Sequence, residues 1–173
     1  MKVIFLDRDG VINVEKNYLH QIDDFEFIDG VFEACRYLES LGYKIIIITN
    51  QSGIGRGYYS EDDFQLLTQW MLKEFQRNGI NILDVYHCPH TPEDLCNCRK
   101  PKPGMILEAA NRYPVNLVNS WLIGDKESDI ESANRAGIQH TILVKSGHKI
   151  NAEKSNATYI LGSIKEAIDI IKA

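Results

Sequence analysis

YKIIIITNQSG, residues 43–53, decides the fold class. Tyr43 to Thr49 is almost continuously apolar, and Ile45, Ile46, Ile47 and Ile48 follow one another with no polar residue between them. Successive strand side chains point to opposite faces, so this stretch has no face suited to water. It reads as a strand covered on both sides, as in a parallel sheet. Four further runs share this character: KVIFLD (2–7), ILDVYH (82–87), SWLIG (120–124) and HTILV (140–144). Between them, Val31, Ala34, Cys35, Leu38 and Leu41 fall on one helical stripe, as do Phe64, Leu67, Met71 and Phe75. Ser60 with Asp63 predicts an N-cap, and Ser163 with Glu166 a capping box for a last helix. Pro103-Gly104 opens a helix through Tyr113, and another runs from about Glu127 to Ala136 until Gly137 ends it. Alternating strands and helices predict a doubly wound, three-layer α/β/α sandwich around a parallel sheet, Rossmann-like with right-handed crossovers. Residues 1–173 read as one domain with no insertion long enough for a large cap. Cys35, on an apolar stripe, is expected in the core.

Composition narrows the function. The chain is 44% hydrophobic and 25% charged with a net charge of −5, the profile of an ordinary soluble protein. No apolar run approaches the roughly 18 residues of a membrane span, and MKVIFLDRDG turns acidic too early for a secretory signal. A cytoplasmic, monomeric protein without membrane partners is expected. An acidic balance argues against nucleic-acid binding and leaves small anions as targets wherever basic residues gather locally. In the reducing cytoplasm, clustered cysteines point to metal rather than to disulfides.

In a doubly wound sheet, ligands bind beyond the carboxyl ends of the strands. The first strand ends in Asp7-Arg8-Asp9-Gly10. Two aspartates at i and i+2 leave extended backbone in the same direction, Arg8 is expected to point elsewhere, and Gly10 lets the chain turn sharply. The fourth strand ends in Gly124-Asp125, with Asp129 one helical turn on. Carboxylates meeting at a sheet edge repel one another unless a cation sits among them, and hard oxygen ligands favour Mg²⁺. The second strand delivers Thr49-Asn50 and then Gln51-Ser52-Gly53, a hydroxyl, an amide and flexible backbone N–H groups suited to phosphate oxygens. After the third strand come Arg99, Lys100 and Lys102. Together these tips describe a phosphate site with a metal.

CPHTPEDLCNCRK, residues 88–100, supplies a second metal signal. Cys88 and His90, then Cys96 and Cys98, give four protein ligands and so a closed tetrahedral shell for Zn²⁺ with no position left for water. Three thiolates also make the ion a poor electrophile. The expected zinc is therefore structural, fixing the loop that carries Arg99 and Lys100, with His87 a strand-end residue rather than a fifth ligand.

Asp7-Arg8-Asp9-Gly10, Thr49-Asn50, Lys100-Pro101-Lys102-Pro103 and Gly124-Asp125…Asp129 resemble, in order, the four motifs of the haloacid dehalogenase-like phosphatases. Within that superfamily, DRDGVIN, FEFIDGV, TNQSGIGRG, CRKPKPGM and GDKESDI resemble the heptose bisphosphatase branch. The resemblance implies Asp7 as nucleophile and Asp9 as general acid–base. It implies Mg²⁺ on Asp7, the Asp9 carbonyl and Asp125, and Thr49 and Lys100 on the phosphate oxygens. Around the substrate it places Glu15, Lys16, Asn17, Tyr18, Asn50, Gln51, Ser52, Arg99 and Lys126. Lys126 stands where superfamily relatives carry a second aspartate, which suits a substrate with two phosphates, and the implied setting is synthesis of nucleotide-activated heptose for surface glycans. The five-residue spacing between His90 and Cys96 is similar to that of the histidinol-phosphatase branch, which keeps histidinol phosphate as an alternative substrate.

Two other classes compete. Gly53-x-Gly55-x-Gly57 follows a strand as a dinucleotide loop would, but its spacing is not G-x-G-x-x-G and the next long helix starts only after Ser60. A non-catalytic zinc-bearing adaptor accounts for the cysteines but not for the acidic strand tips.

Overall fold

The computed structural model describes residues 1–173. The four isoleucines lie in β2 (Lys44–Asn50), and the pleat divides them: Ile45 and Ile47 face one core, Ile46 and Ile48 the other. β2 sits beside β1 (Val3–Leu6), with Phe5 opposite Ile46 and Leu6 opposite Ile47. β3 (Ile82–Cys88), β4 (Trp121–Gly124), β5 (His140–Val144) and β6 (Tyr159–Leu161) complete one parallel sheet of order β3-β2-β1-β4-β5-β6. One core packs α1 (Val31–Ser40), α3 (Glu61–Arg77) and the short α6 (Ala167–Ile170) on the first face of the sheet. The other packs α4 (Gly104–Arg112) and α5 (Glu127–Ala136) on the second. The chain fills β2 and β3 on one side of β1, then crosses to β4 on the other. That reversal opens a crevice at the carboxyl ends of β1, β2 and β4.

The expected helix starts hold at α3, where the Asp63 N–H donates to Ser60 Oγ (3.0 Å) and the Ser60 N–H donates to Asp63 Oδ2 (2.9 Å). They fail at Ser163. There a 3₁₀ turn (Ile164–Glu166) precedes α6, Ser163 Oγ accepts from the Lys165 N–H, and Glu166 Oε1 accepts from the Gly162 N–H. The tighter turn shifts both partners by one residue, so no reciprocal box forms. β6 went unread because it is a three-residue edge strand, half exposed and too short to show a period. A second unpredicted element, α2 (Ser52–Gly55), begins at the tip of β2. Its glycines serve close packing: a Cβ on Gly53 would stand 2.1 Å from the Tyr59 ring, and one on Gly55 2.7 Å from the Pro89 carbonyl. Cys35 is fully buried, and burial pushes its thiol up to about 12. No helix is long and apolar enough to cross a membrane.

Candidate active site

Beyond the carboxyl ends of the strands lies a cleft of about 250 Å³, with Asp7, Lys100, Asp125 and Asp129 among its lining residues. Asp7 continues straight from β1, and its Oδ1 accepts from the Arg8 N–H (2.8 Å) and from Lys100 Nζ (3.0 Å). Lys100 Nζ also meets Asp129 Oδ1 at 2.5 Å and donates to the Ile48 carbonyl at 3.3 Å. An ammonium this buried would ordinarily lose its proton. Burial does pull in that direction, but Asp129 and Asp7 outweigh it and hold Lys100 above the ordinary lysine range. Burial first, and the Asp129 charge second, push the carboxyls of Asp7 and Asp125 above the usual carboxylate range.

Ligand oxygens of Asp7, Asp125 and Asp129 lie within 4.8 Å of one another. Their surroundings separate their roles. Asp129 has both oxygens engaged, Oδ1 by Lys100 and Oδ2 by the Asp125 and Lys126 N–H groups at 3.1 Å each, so it orients the lysine and caps α5. Asp125 is fully buried and its Oδ1 has no partner. A bare, buried carboxylate oxygen beside a second carboxylate fits a divalent cation with oxygen ligands.

Asp9 also opens onto the cleft, held from three sides. Arg8 Nη2 donates to both of its oxygens at 3.1 Å, Asn13 Nδ2 to Oδ1 at 3.0 Å, and Gln51 Nε2 to Oδ2 at 3.1 Å. Arg8, as expected, does not line the cleft with the two aspartates. Its side chain is 2% exposed and curls back beneath the loop, where Nη2 also donates to the Leu19 carbonyl. A buried guanidinium needs a carboxylate, and Asp9 is the one within reach. Gln51 in turn donates to Thr49 Oγ1 (2.9 Å) and accepts from the Tyr59 hydroxyl (2.5 Å). Burial pushes that phenol up to about 12, so it remains a donor.

Cys88 Sγ, His90 Nδ1, Cys96 Sγ and Cys98 Sγ converge within the same 4.8 Å limit and could hold a metal ion. His90 Nδ1 is 3.5 Å from Cys88 Sγ and 3.3 Å from Cys98 Sγ. Cys88 Sγ and Cys98 Sγ are 2.7 Å apart, far beyond the roughly 2.05 Å of a disulfide. Although burial opposes it, the backbone N–H groups of Arg99 and Cys98 bring the Cys96 thiol down to about 7. Hydrogen bonds from residues beside the cluster tie down the basic loop. Asn97 O accepts from the Gly104 N–H, the Pro89 carbonyl from the Gly55 N–H, and Asn50 Oδ1 from the Lys100 N–H. His87 stays in β3, pairing with Glu61 and stacking on Phe64.

Of the residues expected around a substrate, Glu15, Asn17, Tyr18, Asn50, Gln51, Ser52, Arg99 and Lys126 line the cleft. Asn17 and Tyr18 take left-handed backbone, at φ 46° and 61°. Two expected residues do not line it. Lys16 points away and pairs with Glu26 at 3.5 Å, because its neighbours in the turn take the cleft-facing positions. Thr49 is 1% exposed and lies under Gln51. Arg56, Tyr59, Ser128 and His148 line the cleft without having been anticipated. Arg56 was legible as the only cation in the glycine-rich stretch after β2, and His148 by asking what the tip of β5 delivers.

A family model described as HAD-hydrolase-like matches residues 97–167. A D-glycero-alpha-D-manno-heptose-1,7-bisphosphate 7-phosphatase of Photorhabdus laumondii is 50% identical, over 91% of this chain and 90% of the relative. A D-glycero-beta-D-manno-heptose-1,7-bisphosphate 7-phosphatase of Helicobacter pylori is 46% identical, over 99% and 98%. The crystal structure of the D,D-heptose 1,7-bisphosphate phosphatase of B. bronchiseptica, complexed with magnesium and phosphate, superposes with a TM-score of 0.87. It has 28% identity and covers 98% of this chain and 97% of that one.

Proposed function

The chain belongs to the D-glycero-D-manno-heptose-1,7-bisphosphate 7-phosphatases of the haloacid dehalogenase-like hydrolases, and we infer that it removes the C7 phosphate of that sugar bisphosphate. One observation carries the chemistry: Asp7, Asp125 and Lys100, from three distant parts of the chain, meet at one cleft floor, where Asp125 Oδ1 is buried without a partner. Phosphoryl transfer is chiefly positioning and charge stabilisation, and a fixed cation beside a carboxylate nucleophile supplies both.

Asp7 attacks phosphorus and the bond from phosphorus to the sugar C7 oxygen breaks, leaving an aspartyl-phosphate. Asp9, aimed by Arg8, Asn13 and Gln51, gives its proton to the departing oxygen. It then takes a proton from water, whose oxygen attacks phosphorus and frees Asp7. Lys100 holds the phosphoryl oxygens, with Thr49 buttressing Gln51 from beneath. Asp7, the Asp9 carbonyl and Asp125 would hold Mg²⁺, which would supply positive charge to the phosphoryl group. Arg56, Arg99 and Lys126 line the same cleft and suit a substrate bearing a second phosphate. Cys88, His90, Cys96 and Cys98 would hold Zn²⁺ in a structural role, since four protein ligands would leave no position for water.

We read residues 1–173 as one domain that acts as a monomer. All these groups come from a single chain, and the thiol-rich loop suits a reducing, cytoplasmic setting.

The test is Mg²⁺-dependent phosphate release from the α and β anomers of heptose 1,7-bisphosphate and from histidinol phosphate. One phosphate per sugar, with heptose 1-phosphate as product, is expected. A higher kcat/KM on histidinol phosphate would overturn the substrate.

A further inference from the structure

The loop after β5 reaches over the carboxylate of Asp125, and there His148 makes two contacts to a single oxygen. Its backbone N–H donates to Asp125 Oδ2 at 3.0 Å, and its ring Nδ1 lies 2.6 Å from the same atom. An ionised carboxylate only accepts, so Nδ1 carries the hydrogen. The ring's far side, Nε2, is 3.9 Å from Glu15 Oε2 at the rim of the cleft. The loop is tied down a second time by Ser146 Oγ, which donates to the Gly10 carbonyl at 2.7 Å and so joins it to the turn that follows Asp7 and Asp9.

Two glycines explain how backbone comes this close to a buried acid. A Cβ on Gly147 would stand 2.1 Å from Asp125 Oδ2, and one on Gly10 2.2 Å from it. Oδ2 is therefore enclosed by the backbone of two loops and by two N–H donors, with no room for an ion. Oδ1 of the same carboxylate is buried and unpartnered. A carboxylate rotating about its last bond would exchange its two oxygens. The enclosure of Oδ2 prevents this, and the shortest contact within it is the one from the His148 ring.

We propose that His148 is a positioning residue: its Nδ1–H locks the rotation of Asp125 so that Oδ1 alone is presented to the divalent cation. The inference rests on the reading of the cleft as a Mg²⁺ site. It goes beyond that reading by assigning ion affinity to a side chain that touches neither ion nor phosphate. Groups that orient metal ligands in this way change metal affinity by about 10- to 100-fold when removed.

The experiment is calorimetric titration of MgCl₂ into the full-length, zinc-loaded protein freed of Mg²⁺, without substrate, so that the readout is binding rather than turnover. Three variants separate the roles of the ring nitrogens. His148→Ala removes both. His148→Asn keeps an N–H donor where Nδ1 lies, and His148→Gln keeps one nearer Nε2. Because the ring is 38% exposed, none of these should disturb the fold, and unfolding temperatures measured without Mg²⁺ should agree. We expect Kd for Mg²⁺ to weaken by about tenfold in His148→Ala and His148→Gln, and to stay within about threefold of the parent in His148→Asn. Equal affinity in His148→Ala and the parent would overturn the inference, as would His148→Asn weakening as much as His148→Ala. Absence of Mg²⁺ binding by the parent would instead overturn the reading of the cleft, and the inference with it.

Discussion

Replacing Lys100 with methionine keeps most of the length of a buried stem and removes its charge. In the native cleft Nζ lies 3.0 Å from Asp7 Oδ1 and 2.5 Å from Asp129 Oδ1, with the side chain 3% exposed. At an effective dielectric near 20, an attraction across 3.0 Å amounts to about 5 kcal/mol before any cost of burial. Removing the ammonium returns its desolvation cost, several kcal/mol, but leaves Asp7, Asp125 and Asp129 crowded without a counter-charge. Removing one partner from such a site costs about 3–5 kcal/mol. The lower end is expected here, because a carboxyl already pushed upward by burial can take up a proton and limit the loss. For a chain of this size that lowers Tm by about 6–12 °C.

The sign with pH follows from the direction of the shifts. Asp7 and Asp125 are raised in the fold, so their protonated forms favour it, and stability falls as pH rises through their folded values. In Mg²⁺-free protein the deficit of the variant should therefore shrink as pH is lowered from about 7.5 to about 5. Turnover should drop about 10²- to 10³-fold through lost charge stabilisation. Scanning calorimetry at the two pH values, together with steady-state phosphate release, checks both effects. A variant melting within about 2 °C of the parent, or turning over within about threefold of it, would refute the claim that Lys100 balances these acids and the transferred phosphoryl group.

Asp7→Asn should lower kcat by at least about 10³-fold while keeping the fold, since the amide fills the same space and relieves the repulsion with Asp129. Circular dichroism with phosphate release checks this, and near-parent turnover would remove Asp7 as nucleophile. Cys96→Ser should release the ion of the cysteine loop, seen by elemental analysis, and lower kcat/KM about tenfold or more by loosening Arg99 and Lys100. A zinc-free variant with unchanged kcat/KM would remove the positioning role of the loop.

Much of the site was legible because strand ends are legible. Once KVIFLD and SWLIG read as parallel strands, Asp7 and Asp125 had to emerge at the same edge of the sheet, and the spacing of Cys88, His90, Cys96 and Cys98 announced a ligand set. Lys16 misled because a residue within a cleft-lining turn need not face the cleft: tertiary packing sent its side chain to Glu26. Arg8 does turn away from the cleft, as its place between two aspartates suggests, but packing decided where it goes: the adjacent Asp9 and the Leu19 carbonyl, eleven residues on, hold it beneath the loop.

The sequence by itself determined the layered fold, through apolar runs that admit no wet face, and it named the acids, the lysine and the thiols. Only the tertiary structure decided which oxygen does what: Asp129 consumed by Lys100 and two N–H groups, Asp125 Oδ2 enclosed by His148 and the glycine backbones, and Asp125 Oδ1 left bare. Hydrophobic periodicity is a local property that a chain carries along its length. The free valence of an oxygen depends on every group within about 3 Å of it, and those groups come from anywhere in the chain.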